Sequence, residues 1–153
     1  MKDCLLFPLQ VLILFLSTAS AAVRFFVSPQ RLEYVQEGQT VSLKWEYSVD
    51  SEYTLLGTSF VSFDPPGSNN DFRLAAKTAD NKIFYFPNKP RITLGISLCD
   101  GRVIVKDQAT LEITNVTLDN FYRLEVVFED SKSGRISETS ESVRVIPTGR
   151  YWH

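Results

Sequence analysis

Few side chains in this sequence have the type and spacing for covalent chemistry. The single histidine, His153, is the last of 153 residues, where a chain frays. A serine nucleophile needs an imidazole base within hydrogen-bond reach. A cysteine nucleophile at Cys99 would lack the same partner. Glu33 with Glu37, or Asp64 with Asp71, could in principle divide general acid and base work, but on outward strand positions and loops such carboxylates read as solvated charges. Glycine-rich phosphate loops and EF-hand patterns do not occur. One histidine and two cysteines argue against a zinc or haem centre built on those ligands. The 16 basic residues face 18 acidic ones, which leaves no positive excess to neutralise phosphates. The expectation is a chain that is not an enzyme, takes no cofactor and binds no nucleic acid. The one motif with defined chemistry is Asn115-Val116-Thr117, an N-glycosylation sequon with a permitted middle residue.

That motif requires export, and the first residues supply an address. Lys2 precedes an apolar run from Leu5 to Leu16, interrupted by Pro8 and Gln10, and then small residues from Ser17 to Ala22. This is the layout of a secretory signal peptide over residues 1–22, with cleavage after Ala21 or Ala22. The run is shorter than the roughly 20 residues that span a bilayer. No later segment offers such a span, and the C-terminus carries neither an apolar anchor tail nor a retention signal. The expected localisation is extracellular, either secreted or as the ectodomain part of a cell-surface receptor. Residues 23–147 form the expected domain and 148–153 a tail. Cys4 falls in the signal segment, so Cys99 is alone in the mature chain. Two readings of it stand side by side: a small buried hydrophobe or an intermolecular bridge.

The elements that must carry these residues are strands. With 44% hydrophobic and 22% charged residues and a net charge of −2, the composition is that of one ordinary globular domain rather than a disordered chain. Val41, Leu43 and Trp45 alternate with Ser42, Lys44 and Glu46, which predicts a strand with one buried face. Leu55 to Phe63 is a second β-rich run, closed by the loop Asp64–Asn70 with its two prolines and a glycine. Shorter candidates are Phe72 to Ala76, Ile83 to Phe86, Ile92 to Leu98 and Arg102 to Lys106. Alternation returns at Ala109–Thr114, Tyr122–Val126 and Ser142–Val145, with a hairpin loop at Ser131–Gly134 between the last two. Pro147 is expected to end pairing, since it lacks a donor. Seven to nine short strands without helical periodicity predict an all-β, two-sheet antiparallel sandwich.

From Val23 to Ile146 the sequence resembles an immunoglobulin V-type domain. The most specific residues are Arg102-Val103-Ile104-Val105, then Ala109-Thr110-Leu111-Glu112-Ile113-Thr114-Asn115-Val116-Thr117, then Asp119 and Tyr122-Arg123-Leu124, which are similar to strands D, E and F of that family. Gly38-Gln39-Thr40-Val41-Ser42-Leu43 is similar to its approach to strand B. Residues 55–63 would then be strand C, with 72–76 and 83–86 as C′ and C″. The resemblance implies that Tyr122 is the corner tyrosine. It also implies that Leu43 and Leu124, at the positions of the two family cysteines, meet across the sheets. Loss of a disulfide costs about 2–5 kcal/mol, and each buried leucine returns about 1.5–3 kcal/mol. Two departures stand out. Asp119 lies three residues before Tyr122 where the family usually has four, which counts against the family's bridge to the D strand, here Arg102 with Asp119. The family's strand-C tryptophan is missing, and Trp45 on strand B is expected in its volume. A narrower resemblance, carried by Leu-Lys-Trp, Leu-Leu followed by Phe, and Tyr-Arg-Leu-Glu-Val, is to cnidarian immunoglobulin-like cell-surface proteins, some of them in allorecognition.

The resemblance also implies where a partner would dock. V-type domains often meet partners with the sheet containing C, C′, F and G. If Leu124 points inward, Arg123 and Glu125 point outward on F, and Arg144 does so on G. Val61 and Phe63 share one face of C, and Phe60 lies on the other. Opposite charges at Arg123 and Glu125 would suit self-complementary pairing. The loops Asp64–Asn70 and Ala79–Lys82, or an exposed edge strand, are alternative sites. The implied function is non-enzymatic extracellular recognition or adhesion: binding of another protein, or of a second copy of the chain, in cell adhesion or self/non-self recognition. The alternative is a secreted soluble immune effector, decoy or inhibitor.

Overall fold

A computed structural model describes residues 21–63, 71–86 and 102–149. The signal segment up to residue 20, the loop 64–70, the run 92–98, Cys99 and His153 lie outside them. The described strands are β1 (Val23–Val27), β2 (Leu32–Gln36), β3 (Val41–Val49), β4 (Tyr53–Phe63), β5 (Asp71–Thr78), β6 (Ile83–Tyr85), β7 (Val103–Lys106), β8 (Ala109–Ile113), β9 (Asn120–Asp130) and β10 (Ile136–Thr148). They form a four-stranded sheet in the order β1-β3-β8-β7 and a six-stranded sheet in the order β2-β10-β9-β4-β5-β6. All neighbours are antiparallel except β2 and β10.

The two sheets bury their inward rows against each other. Val41, Leu43, Trp45 and Tyr47 of β3 are buried together with Tyr122, Leu124, Val126 and Phe128 of β9 in one core cluster. Leu43 and Leu124 are both completely inaccessible and come from opposite sheets. Trp45, on β3, sits 6.3 Å centroid to centroid from Phe60 of β4, so the indole occupies the middle of the core from the facing sheet. Tyr122 is equally enclosed, and burial pushes its hydroxyl up to about 12, against an opposing hydrogen bond with the Asn120 side chain.

Several elements exceed what alternation shows. β9 and β10 run to 11 and 13 residues, because backbone pairing continues through Ser137–Ser142 where both rows are polar. Strands β1 and β2 carry no clear period-2 pattern and were not expected. Pro147 does not end pairing: it lies opposite Val35 in the parallel β2–β10 ladder. The Arg144 N–H points to the β2 side, donating to the Arg31 carbonyl at 2.9 Å, so by strand alternation the nitrogen of residue 147 faces the β9 side. β9 pairing has already stopped there, at Val145 with Asn120, so the missing donor costs no bond. Between Leu55 and Gly57 β4 carries an irregularity against β9, and a Cβ at Gly57 would stand 2.6 Å from the Lys77 carbonyl oxygen. Only glycine lets β4 and β5 approach at that point.

The sheet edges are closed unevenly. Tyr85 of β6 accepts the Val105 N–H at 3.0 Å, which caps the free side of β7 and ties the two sheets together. Lys77 reaches the carbonyl of Asp107, again from one sheet to the other.

Candidate recognition face

The outward row of β9 reads Phe121, Arg123, Glu125. In register beside it stand Phe63, Val61 and Ser59 on β4, and Arg144, Ser142 and Ser140 on β10. Asp71 and Arg73 of β5 continue the row beyond Phe63 and Val61. These side chains form a continuous stack. The Arg144 guanidinium lies 5.3 Å from the centroid of Phe121. Phe121 lies 5.3 Å from Phe63 with the rings inclined by 32°. The Arg123 guanidinium lies 5.2 Å from Phe63. Both cations are within the distance at which a ring quadrupole attracts a guanidinium.

Each arginine is also held by carboxylates. Arg144 donates from Nε and Nη2 to the two oxygens of Asp119, at 2.9 and 2.6 Å, a bidentate geometry. Arg123 donates from Nε and Nη2 to Oε1 of Glu125, at 3.0 and 2.7 Å, and from Nη2 to Asp71 at 2.7 Å. For Arg144, the hydrogen bonds to Asp119 raise the guanidinium above its ordinary value. For Arg123, burial works downward, but hydrogen bonds to Asp71 and Glu125 outweigh it and the net shift is upward. Both stay charged at any physiological pH.

Two sequence expectations change here. Glu125 does point outward, but it is only 7% exposed, because Arg123 lies across it and Arg73 approaches to 4.0 Å. Arg123 and Glu125 therefore neutralise each other within the chain and are not free to pair with a second copy through opposite charges. Val61 is also outward yet 3% exposed, and it lies outside the core cluster; Arg73 and Arg123 flank it in register, and long arginine stems beside an apolar side chain can shield it from water. Asp119 is taken by Arg144, in keeping with the short spacing before Tyr122 that counts against its bridge to Arg102. The sequence reading missed Phe121, Asp71 and Asp119 as parts of this face. The signal was present for one of them: Phe121-x-Arg123-x-Glu125 is a single period-2 row.

The face has an accessible rim. Leu32 and Tyr34 of β2, 44% and 65% exposed, lie opposite Arg144 and Ile146 and continue the outer face to the β2 edge. Elsewhere, Ala79 and Asn81 of the alternative loop site line a cleft of about 340 Å³ with Tyr47, Lys77 and Gln108. Gln108 is spent inside it, bonding both the N–H and the carbonyl of Tyr47. No group of three or more metal-ligating side chains occurs among the described residues, and no described helix is long and apolar enough to cross a membrane.

The fold matches solved structures over 84% of the chain. Murine CRIg superposes with a TM-score of 0.61 at 10% identity, over its whole length. The first domain of VCBP3 from Branchiostoma floridae superposes with a TM-score of 0.53 at 19% identity, over 96% of that domain. The chain has the immunoglobulin V-type fold. The two tandem V-type regions of VCBP3, a v-region-containing chitin binding protein, match with a TM-score of 0.56 at 13% identity over 46% of that longer chain. No protein-family model matches the sequence, and no curated protein matches it. In V-type terms β3, β4, β9 and β10 are strands B, C, F and G, and the guanidinium–phenyl stack lies on the sheet that carries C, C′, F and G. The described residues include no cysteine, and Leu43 and Leu124, which the resemblance would set at the two family cysteine positions, are buried in opposite sheets.

Proposed function

We propose that this V-type domain is a non-enzymatic extracellular recognition module that binds another protein through the outer face of its six-stranded sheet, in cell adhesion or self/non-self recognition. The observation that carries this is the composition and order of that face. Arginine and aromatic residues are the types enriched where proteins bind each other, and lysine and glutamate are depleted there. The Arg144–Phe121–Phe63–Arg123 stack is already ordered by Asp119, Asp71 and Glu125, so little side-chain entropy is lost on docking. The residues 1–22 address supports export.

The test uses beads coated with the full secreted chain, scored for binding to cells of the source organism. Tyr34→Ala combined with Arg73→Glu alters two exposed positions at opposite ends of the face. Loss of binding supports the reading; undiminished binding by the folded double variant removes it.

The sequon fits the same setting. Asn115 is exposed, with a φ of 52° in the turn between β8 and β9, while Val116 next to it is buried and bonded to the turn before β3. We expect a glycan on Asn115. An amidase that removes N-glycans should lower the mass of the secreted protein, and an unchanged mass would show the site to be empty.

A further inference from the structure

We infer that the open half of β10 is a self-pairing edge through which two copies of this chain join into one continuous sheet. β2 begins to pair with β10 only at Leu32 opposite Arg144, so no described strand lies beside residues 136–142 on that side. The Arg144 N–H faces the β2 lane. Strand alternation then turns the N–H and C=O groups of Ser142, Ser140, Glu138 and Ile136 toward a lane that no described strand fills, with Ser28 and Pro29 across a groove at its Ser142 end. Glu138, Ser140 and Ser142 are exposed, and the stretch contains no proline, lysine or bulge; its two charges are Glu138 on the outer row and Glu141 on the inward row, the latter held by the Ser28 hydroxyl.

A second copy fits this edge in one register. Pairing about a two-fold axis is antiparallel, and residues facing the lane must oppose residues facing the lane. An axis at Glu138 would set two carboxylates against each other. An axis at Ser140 would bring Ile136 of the second copy opposite Arg144, where Leu32 already sits. An axis at Thr139 avoids both. It places Glu138 opposite Ser140, Ser137 opposite Glu141, and Thr139 opposite its own copy, with no like charges directly opposite.

The same register gives a use to a side chain that otherwise has none. Ile136 is 63% exposed. With the axis at Thr139 it stands opposite Ser142 of the second copy, on the outer face. Ser142 lines a groove of about 700 Å³ with Leu32, Phe121, Arg144, Pro29 and Ser28. Each copy thus inserts one isoleucine into the groove of the other, which is the reciprocity a two-fold contact requires. This pairing does not depend on what the aromatic face binds.

Sedimentation equilibrium of the full secreted chain, from about 1 to about 100 µM, tests it. The expected result is a reversible dimer. Ile136→Glu and Ser140→Pro should each weaken it at least about tenfold; Ser140 gives no N–H to the β9 ladder, so the proline removes no bond within the chain. Ile104→Glu, on the exposed side of β7, should leave the dimer intact, and circular dichroism confirms that the variants fold. A monomer at about 100 µM, or a dimer that survives either β10 variant, overturns the inference. The Tyr34→Ala/Arg73→Glu variant should lose cell binding and keep the dimer, so the two proposals fail separately.

Discussion

On the outer face of the four-stranded sheet, Lys44 pairs with Glu46 and Lys106 with Glu112, and both lysines remain about half exposed. On the outer face of the six-stranded sheet, Arg123 and Arg144 lie over phenyl rings, and Glu125 is buried beneath Arg123 and Arg73. Both faces carry balanced charges. They differ in how far those charges are from water. A lysine ammonium is a compact, strongly hydrated charge, whereas a guanidinium is planar, weakly hydrated and stacks on rings. The first face is therefore a solvated surface. The second is a thin polar layer packed over Val61 and Ser59, and it resembles the centre of an interface before a partner arrives.

The comparison can be sharpened first beneath both faces, where the effects are largest. Leu43→Ala and Leu124→Ala should each destabilise by about 2–5 kcal/mol. If the two leucines touch across the sheets, their double-mutant cycle should show a coupling above about 0.5 kcal/mol, measured by urea unfolding; additive effects would separate them. Arg123→Ala strips Glu125 of its main partner and should cost about 3 kcal/mol, the range for breaking a buried pair. A loss as small as that of a surface lysine would erase the distinction between the faces.

Alkaline pH reads the inward row of β9. Tyr122 ionises near 10 when unfolded and near 12 when folded. Below pH 10 both states keep the proton and the stability is fully present. Between 10 and 12 the unfolded state loses its proton first, so roughly 2–3 kcal/mol should disappear over that interval. Tyr122→Phe should flatten this part of the pH profile of unfolding. Last, Lys106→Ala should change stability by less than about 0.5 kcal/mol, and added salt should mask even that. A larger loss would mean that the four-stranded face is held as tightly as the other.

What was legible in the sequence followed from period-2 alternation. Val41, Leu43 and Trp45, or Tyr122 and Leu124, announce an inward row because burial on one side and water on the other act on successive residues. The same logic placed Arg123, Glu125 and Arg144 on one outer face. It could not see that Glu125 is covered, since its cover comes from Arg73, 52 residues earlier in the chain, and from the lateral reach of Arg123. Nor could it see the true ends of β9 and β10, where pairing depends on backbone groups that every residue carries. Pro147 misled for a related reason: a missing donor matters only on the side where a neighbour is waiting, and topology decides that side.

The parallel ladder between β2 and β10 has a mechanical consequence. These strands lie near the two ends of the folded domain and run in the same direction, so opposing pulls on the chain ends would slide one along the other. The five registered positions from Arg144–Leu32 to Thr148–Gln36 would then bear tension together instead of unzipping in turn. A domain anchored at one end and gripped at the other would yield only when the whole ladder gives way, at a rate set by its unfolding barrier.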